Sequence, residues 1–129
     1  MSTNQRQESS LPRVMRIRSR KDFARVFRNR TYLSDEHIIL YAVANGEEWS
    51  RVGISVGRRI GNAVQRNRCK RLIREAFRRQ IRQLPVGIDW VVIPKPGHEP
   101  SFFYLEKSIS QLANRLGQII YRKEHQKRL

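Results

Sequence analysis

Ten cations crowd into residues 58–82: Arg58, Arg59, Arg66, Arg68, Lys70, Arg71, Arg74, Arg78, Arg79 and Arg82, against a single acid, Glu75. Nine are arginines, whose planar fork meets a phosphate through two parallel hydrogen bonds where an ammonium acts as a point charge. An ordinary solvated helix interleaves both signs to gain pairs at i,i+4; this segment scarcely does. Its chemistry is therefore anion binding, with nucleic acid the expected anion. Hydrolysis by the chain itself is the weaker reading. Cleaving a phosphodiester takes a general base and acid, or carboxylates that hold a metal, and Asp22, Asp35 and Asp89 fall in separate elements with no partner evident. His37, His98 and His125 are scattered, with no Cys or carboxylate at ligand spacing, so no metal site is expected on the protein.

The same stretch positions its own cations. Cys69, Leu72, Ile73, Ala76, Phe77, Ile81 and Leu84 recur at helical spacing. On a helical wheel they fill about half the circumference, and Asn67, Arg68, Arg71, Arg74, Glu75, Arg78, Arg79 and Arg82 fill the other half. One face must enter a core and the other must meet something negative. Arg66 and Asn62 line up with the apolar stripe, one and two turns ahead of it, and so project past the end of the core toward any cleft beside the helix. Gly57 and Gly61 bracket Arg58, Arg59 and Ile60 in a flexible cationic lead-in without the spacing of a phosphate loop. Cys69 lies within the apolar arc and reads as a small buried hydrophobe.

The whole chain has 129 residues, a net charge of +16 and a pI near 11.4. That length suits one domain with one modest core, and that charge calls for a polyanionic partner. No run approaches the length of a membrane span and residues 1–13 contain no signal-like apolar segment, so a cytosolic location is expected. Residues 1–16 read as a mobile polar arm, 17–122 as the domain and 123–129 as a frayed basic tail. Ser19 and Asp22 form a capping box for a helix over 20–29 that sets Phe23, Val26 and Phe27 on one face. The plain reading of these rings is core; the alternative is a stacking edge for bases. Residues 37–44 and 51–56 read as strands joined in a hairpin. Gly53 and Ser55 beside Tyr41 either leave one sheet face shallow enough for a nucleotide chain or mark a close helix contact. Residues 88–93 suit a strand buried on both faces, and 102–121 form a last helix. The order is α-β-β-α-β-α, an α/β fold of the α+β two-layer sandwich kind.

Residues 51–77, RVGISVGRRIGNAVQRNRCKRLIREAF, closely resemble the signature of the bacterial ribonuclease P protein subunit. The match runs through Ser55 and Val56, the two basic residues, Ile60 to Ala63, the triplet Arg66, Asn67 and Arg68, then Lys70 to Arg74 and Phe77. Upstream it takes in Asp22, Phe23, Val26 and Phe27 as a DFxxVF pattern, and Tyr41. The resemblance implies a compact α/β fold whose helix crosses between parallel strands in the left-handed sense, against the usual rule. It also implies binding to the catalytic RNA of ribonuclease P and to the 5′ leader of precursor tRNA. The RNA and Mg2+ then carry the hydrolysis, with no catalytic residue and no cofactor on the protein alone. By resemblance, Arg66, Asn67, Arg68, Lys70, Arg71 and Arg74 face the catalytic RNA, and Phe23, Phe27, Tyr41, Arg58, Arg59 and Asn62 line a leader cleft. Neither a membrane nor an obligate protein partner is implied. The rivals are a free-standing nuclease, a ribosomal or RNA-chaperone protein, and a membrane-surface helix; a core needs the apolar face that the last would use.

Overall fold

The computed structural model describes residues 11–97 and 99–129. His98 and residues 1–10 of the expected arm lie outside them. The elements are α1 (Arg20–Asn29), β1 (Tyr32–Ser34), β2 (Ile38–Ala44), β3 (Arg51–Ile54), α2 (Ala63–Gln80), β4 (Ile88–Pro94) and α3 (Phe102–Arg128). The fold is mixed α/β, with one strand more than the sequence suggests. The strands form an open sheet in the order β1-β2-β4-β3, in which β4 runs antiparallel to β2 and parallel to β3.

The position of β4 follows from its composition. Every residue of IDWVVIP except Ile93 is buried, and a strand apolar on both sides needs a neighbour at each edge and a layer over each face. The predicted hairpin between 37–44 and 51–56 therefore does not form, because β4 inserts between the two strands. Alternation identifies the face a residue occupies, not the strand beside it. The hairpin that does exist joins β1 to β2. At its turn, Oδ1 of Asp35 accepts the backbone N–H groups of His37 at 2.9 Å and Ile38 at 3.0 Å.

The alternation sorts side chains between two cores. Ile38, Leu40, Ala42, Val52, Trp90 and Val92 pack with Ile73 and Phe77 of α2 and Ile109 and Leu116 of α3. On the reverse face, Val91, Tyr41 and Val43 pack with Ile17 and with Phe23, Val26 and Phe27 of α1. Thus α2 and α3 form a full layer, and α1 adds a partial layer across the sheet. Among the described residues, no helix is long and apolar enough to cross a membrane.

The described segments on either side of the expected domain are more structured than their polarity suggests. Residues 11–16, assigned to the arm, are packed: Leu11 is buried in the main core, Arg16 forms a bridge to Val52, and the Ile17 amide donates to the Val52 carbonyl at 2.9 Å. Leu11, Met15 and Ile17 are enough apolar anchors to hold the segment down, although their spacing has no period. At the other end, the tail does not fray at 123; α3 continues to Arg128. No glycine or proline interrupts residues 118–128, which are rich in strong helix formers.

Gly53 resolves the choice between an open sheet face and a close contact. A Cβ there would lie 2.8 Å from the Phe23 ring and 3.1 Å from Cβ of Ile17. The missing side chain lets α1 seat its first phenylalanine on the sheet. Gly53→Ala should therefore cost about 1–3 kcal/mol by overpacking, read as a lower urea midpoint with an unchanged slope.

Candidate nucleic-acid interface

The helix bearing the cations starts at a reciprocal cap. Asn62 Oδ1 accepts the Gln65 amide at 2.9 Å, and Gln65 Oε1 accepts the Asn62 amide at 2.8 Å, satisfying two donors that the first turn leaves orphaned. Asn62, which the resemblance implies for the leader cleft, commits its side-chain carbonyl to this cap, and Gln65 is the partner that sequence reading overlooks. Asn62→Ala should destabilise the fold by about 1 kcal/mol, measurable as a fall in Tm, with the amides of the first turn of α2 exchanging faster.

Beyond the cap, Cys69, Ile73, Ala76 and Phe77 are buried, and burial pushes the Cys69 thiol pKa up. Asn67, Arg68, Arg71 and Arg74 are exposed, while Arg66 and Lys70 are half-buried. Arg66 donates Nη1 to the Gly61 carbonyl at 3.2 Å. Glu75 receives Arg78 Nε at 3.0 Å and lies 3.8 Å from Arg79. The Arg78 hydrogen bond is the main reason its carboxyl sits below the usual range. The helix's one acid is thus neutralised by its C-terminal neighbours. Among the described residues, Arg68, Arg71 and Arg74 have no acidic partner. Arg58 and Arg59 are exposed in the helical turn Arg58–Ile60 ahead of α2.

The structure brings the three predicted aromatics together. Phe23 and Phe27 stack at 6.4 Å between centroids, and Phe27 meets Tyr41 edge-on at 4.9 Å. Tyr32, which sequence reading missed, lies 4.9 Å from Tyr41 as its cross-strand partner. Only the pairing of β1 with β2 reveals it. Phe23, Phe27 and Tyr41 are half-buried and Tyr32 is exposed, so the rings rest on Ile17, Val26 and Val91 and keep edges at the surface. Core packing and an accessible aromatic surface are both realised. Arg58, Arg59 and Asn62 take no part in these ring contacts.

Two residues along β4 from Val91, on the same face of the sheet, is an ionic cluster with no counterpart in the sequence reading, where Asp89 has no evident partner. Asp89 is fully buried within β4. Its register partner Arg51 donates Nε to Oδ1 at 2.9 Å and Nη2 to Oδ2 at 2.6 Å. Asn45 Nδ2 donates to Oδ1 at 3.0 Å, and Arg25 of α1 pairs with Oδ2. Arg51 Nη1 also reaches Asp22 at 3.4 Å. The Asp22 carboxyl is held below its ordinary range, first by the Ser19 hydroxyl and then by the charge of Arg51. The Ser19 hydroxyl also accepts the Asp22 amide at 3.1 Å, capping α1. All three aspartates thus have structural partners. Among the described residues, no three His, Cys, Asp or Glu side chains converge closely enough to hold a metal ion.

An open four-stranded sheet, a half-exposed aromatic cluster and a helix with an unneutralised arginine row, crossing between two parallel strands, define a class of basic α/β protein. The model of the Ribonuclease P family matches residues 11–117, and the chain belongs to that family. It is 44% identical over 88 residues to the ribonuclease P protein component of Brevibacillus brevis, covering 67% of this chain and 70% of that one. With the same component from Thermotoga maritima it shares 42% identity over 86 residues, 67% and 74% of the two chains. The solved ribonuclease P protein of Thermotoga maritima superposes with a TM-score of 0.72 at 35% identity, covering 78% of this chain and 96% of that one. The Staphylococcus aureus protein gives 0.68 at 28% identity, covering 76% and 91%.

Proposed function

We propose that this chain is the protein subunit of ribonuclease P, gripping the catalytic RNA with α2 and the 5′ leader of precursor tRNA with the aromatic cleft of α1 and the sheet. The observation that carries this reading is the row of Arg68, Arg71 and Arg74, exposed and without acidic partners among the described residues. Their guanidinium groups meet ribose-phosphate oxygens, with Asn67 and Lys70 adding donors. The leader calls for sequence-tolerant recognition, which stacked ring edges supply. Phe23, Phe27 and Tyr41 act here, with Tyr32 extending the surface and Arg58 and Arg59 as exposed cations near the start of α2.

The three aspartates support the division of labour that the family implies. Asp22, Asp35 and Asp89 are engaged by Ser19 and Arg51, by backbone amides, and by Arg25 and Arg51 respectively, which leaves none of them poised as a general base. The RNA subunit, with Mg2+, supplies the hydrolysis, and this chain raises its preference for leader-bearing substrate. The test is the affinity of precursor and mature tRNA for the catalytic RNA, measured with and without the protein. Selective tightening for the precursor is the expected result. Equal tightening for both would point to a general RNA chaperone, and cleavage by the protein alone to a nuclease.

A further inference from the structure

The packed segment ahead of α1 also borders the cationic face of α2. A cavity of about 560 Å3 between it and α2 is lined by Leu11, Arg16, Arg68, Arg71, Arg74 and Glu75, with Leu72 beneath. A second cavity, of about 330 Å3, shares Leu11, Arg16 and Arg74 with the first and continues past Arg18 and Lys70 to Phe23. Together they form one groove that runs from the exposed face of α2 to the rim of the aromatic cleft. Six cations line it, and its one acid, Glu75, is bound to Arg78 and Arg79.

The outer wall is held in place. Leu11 is buried in the main core, and its carbonyl accepts Arg16 Nε at 2.9 Å, which leaves the two terminal nitrogens of Arg16 for the groove. Arg18 is exposed and has no hydrogen bond or ion pair among the described residues. Cations gathered around a concavity without counter-charge concentrate the potential there. A polyanionic strand has the charge to relieve it.

We infer that Arg16 and Arg18 are RNA-contacting residues, forming with Arg68, Lys70, Arg71 and Arg74 a two-walled groove for a strand of the catalytic RNA. The inference rests on the proposed function and extends it to a segment with no helical periodicity. The catalytic RNA is favoured over the leader because six cations line the groove against a single ring, Phe23, whereas a sequence-tolerant single strand calls for several stacking rings.

The experiment titrates full-length protein carrying Arg18→Ala, Arg16→Ala or Arg68→Ala against a bacterial ribonuclease P RNA over a range of salt concentrations, with a melting curve for each. Arg16→Ala and Arg18→Ala should each weaken assembly about tenfold and reduce the log–log salt slope by about 0.7–0.9, with the Tm of Arg18→Ala unchanged. An Arg18→Cys protein bearing a photo-crosslinker should mark the catalytic RNA. Unaltered slopes for Arg16→Ala and Arg18→Ala alongside a weakened Arg68→Ala would overturn this inference and leave the proposed function standing. If Arg68→Ala also binds normally, both fall. Crosslinks confined to the leader of bound precursor tRNA would overturn the assignment to the catalytic RNA.

Discussion

Asp89→Ala should destabilise the protein by about 3–5 kcal/mol, because it leaves two guanidinium groups facing a hole where their shared buried carboxylate stood. A domain of this size has a total stability of about 5–15 kcal/mol, so the variant would sit near its unfolding threshold. Arg25 and Arg51 keep 37% and 25% of their side-chain surface exposed, which lets water take up part of their charge and favours the lower end of that range. A thermal melt should register a Tm lower by about 10–20 °C. Asp89→Leu separates the contributions: it fills the space without the charge, and replacing a buried ion by a well-packed apolar group loses less than removing it outright. The loss should also be local. Arg25 tethers α1 to β4 through this carboxylate, so α1 amides should exchange much faster in Asp89→Ala while those of α3 follow the global change. A variant as stable as the parent would show that the cluster contributes nothing net.

The second large effect is on RNA. Arg68→Ala combined with Arg74→Ala removes two exposed cations from the row on α2. Each charged hydrogen bond to phosphate contributes about 1.5–3 kcal/mol, so assembly with the catalytic RNA should weaken by about a hundredfold or more. The salt slope should fall by about 1.4–1.8, the value for two lost phosphate contacts. Neither side chain packs into the core, so Tm should move little. A double variant with an unchanged slope would exclude these residues from direct contact, whatever happened to affinity.

The parts legible in the sequence were those with a strong local period. The apolar stripe from Cys69 to Phe77 placed α2, its buried face and its cationic face, and the continuous apolar run 88–93 placed β4 as a doubly buried strand. Sheet order was not legible. The alternation of β2 and β3 carries no information about which strand lies between them, and β1 is too short to alternate. Pairwise links across the fold were equally hidden: Asp89 with Arg25 lies 64 residues apart in sequence, and Tyr32 meets Tyr41 only through strand pairing. The resemblance supplied a set expected to face RNA, of which Asn67, Arg68, Arg71 and Arg74 are exposed on α2 while Arg66 and Lys70 are half-buried; it gave no sign of the cap that Asn62 forms with Gln65. Arg16 and Arg18 escaped notice because the segment that carries them has anchors without a period.

The central place of β4 also sets the order of events during synthesis. When a ribosome has released Ala44 and Ile54, the facing edges of their strands have no hydrogen-bond partner, since the polypeptide that bridges them is more than thirty residues downstream. Nascent β2 and β3 must stay apart long enough for α2 and then β4 to arrive and fill the gap. Pairing over such separations is slow, and the dense positive charge already emerged in α2 helps keep unfinished chains from sticking to one another in the meantime.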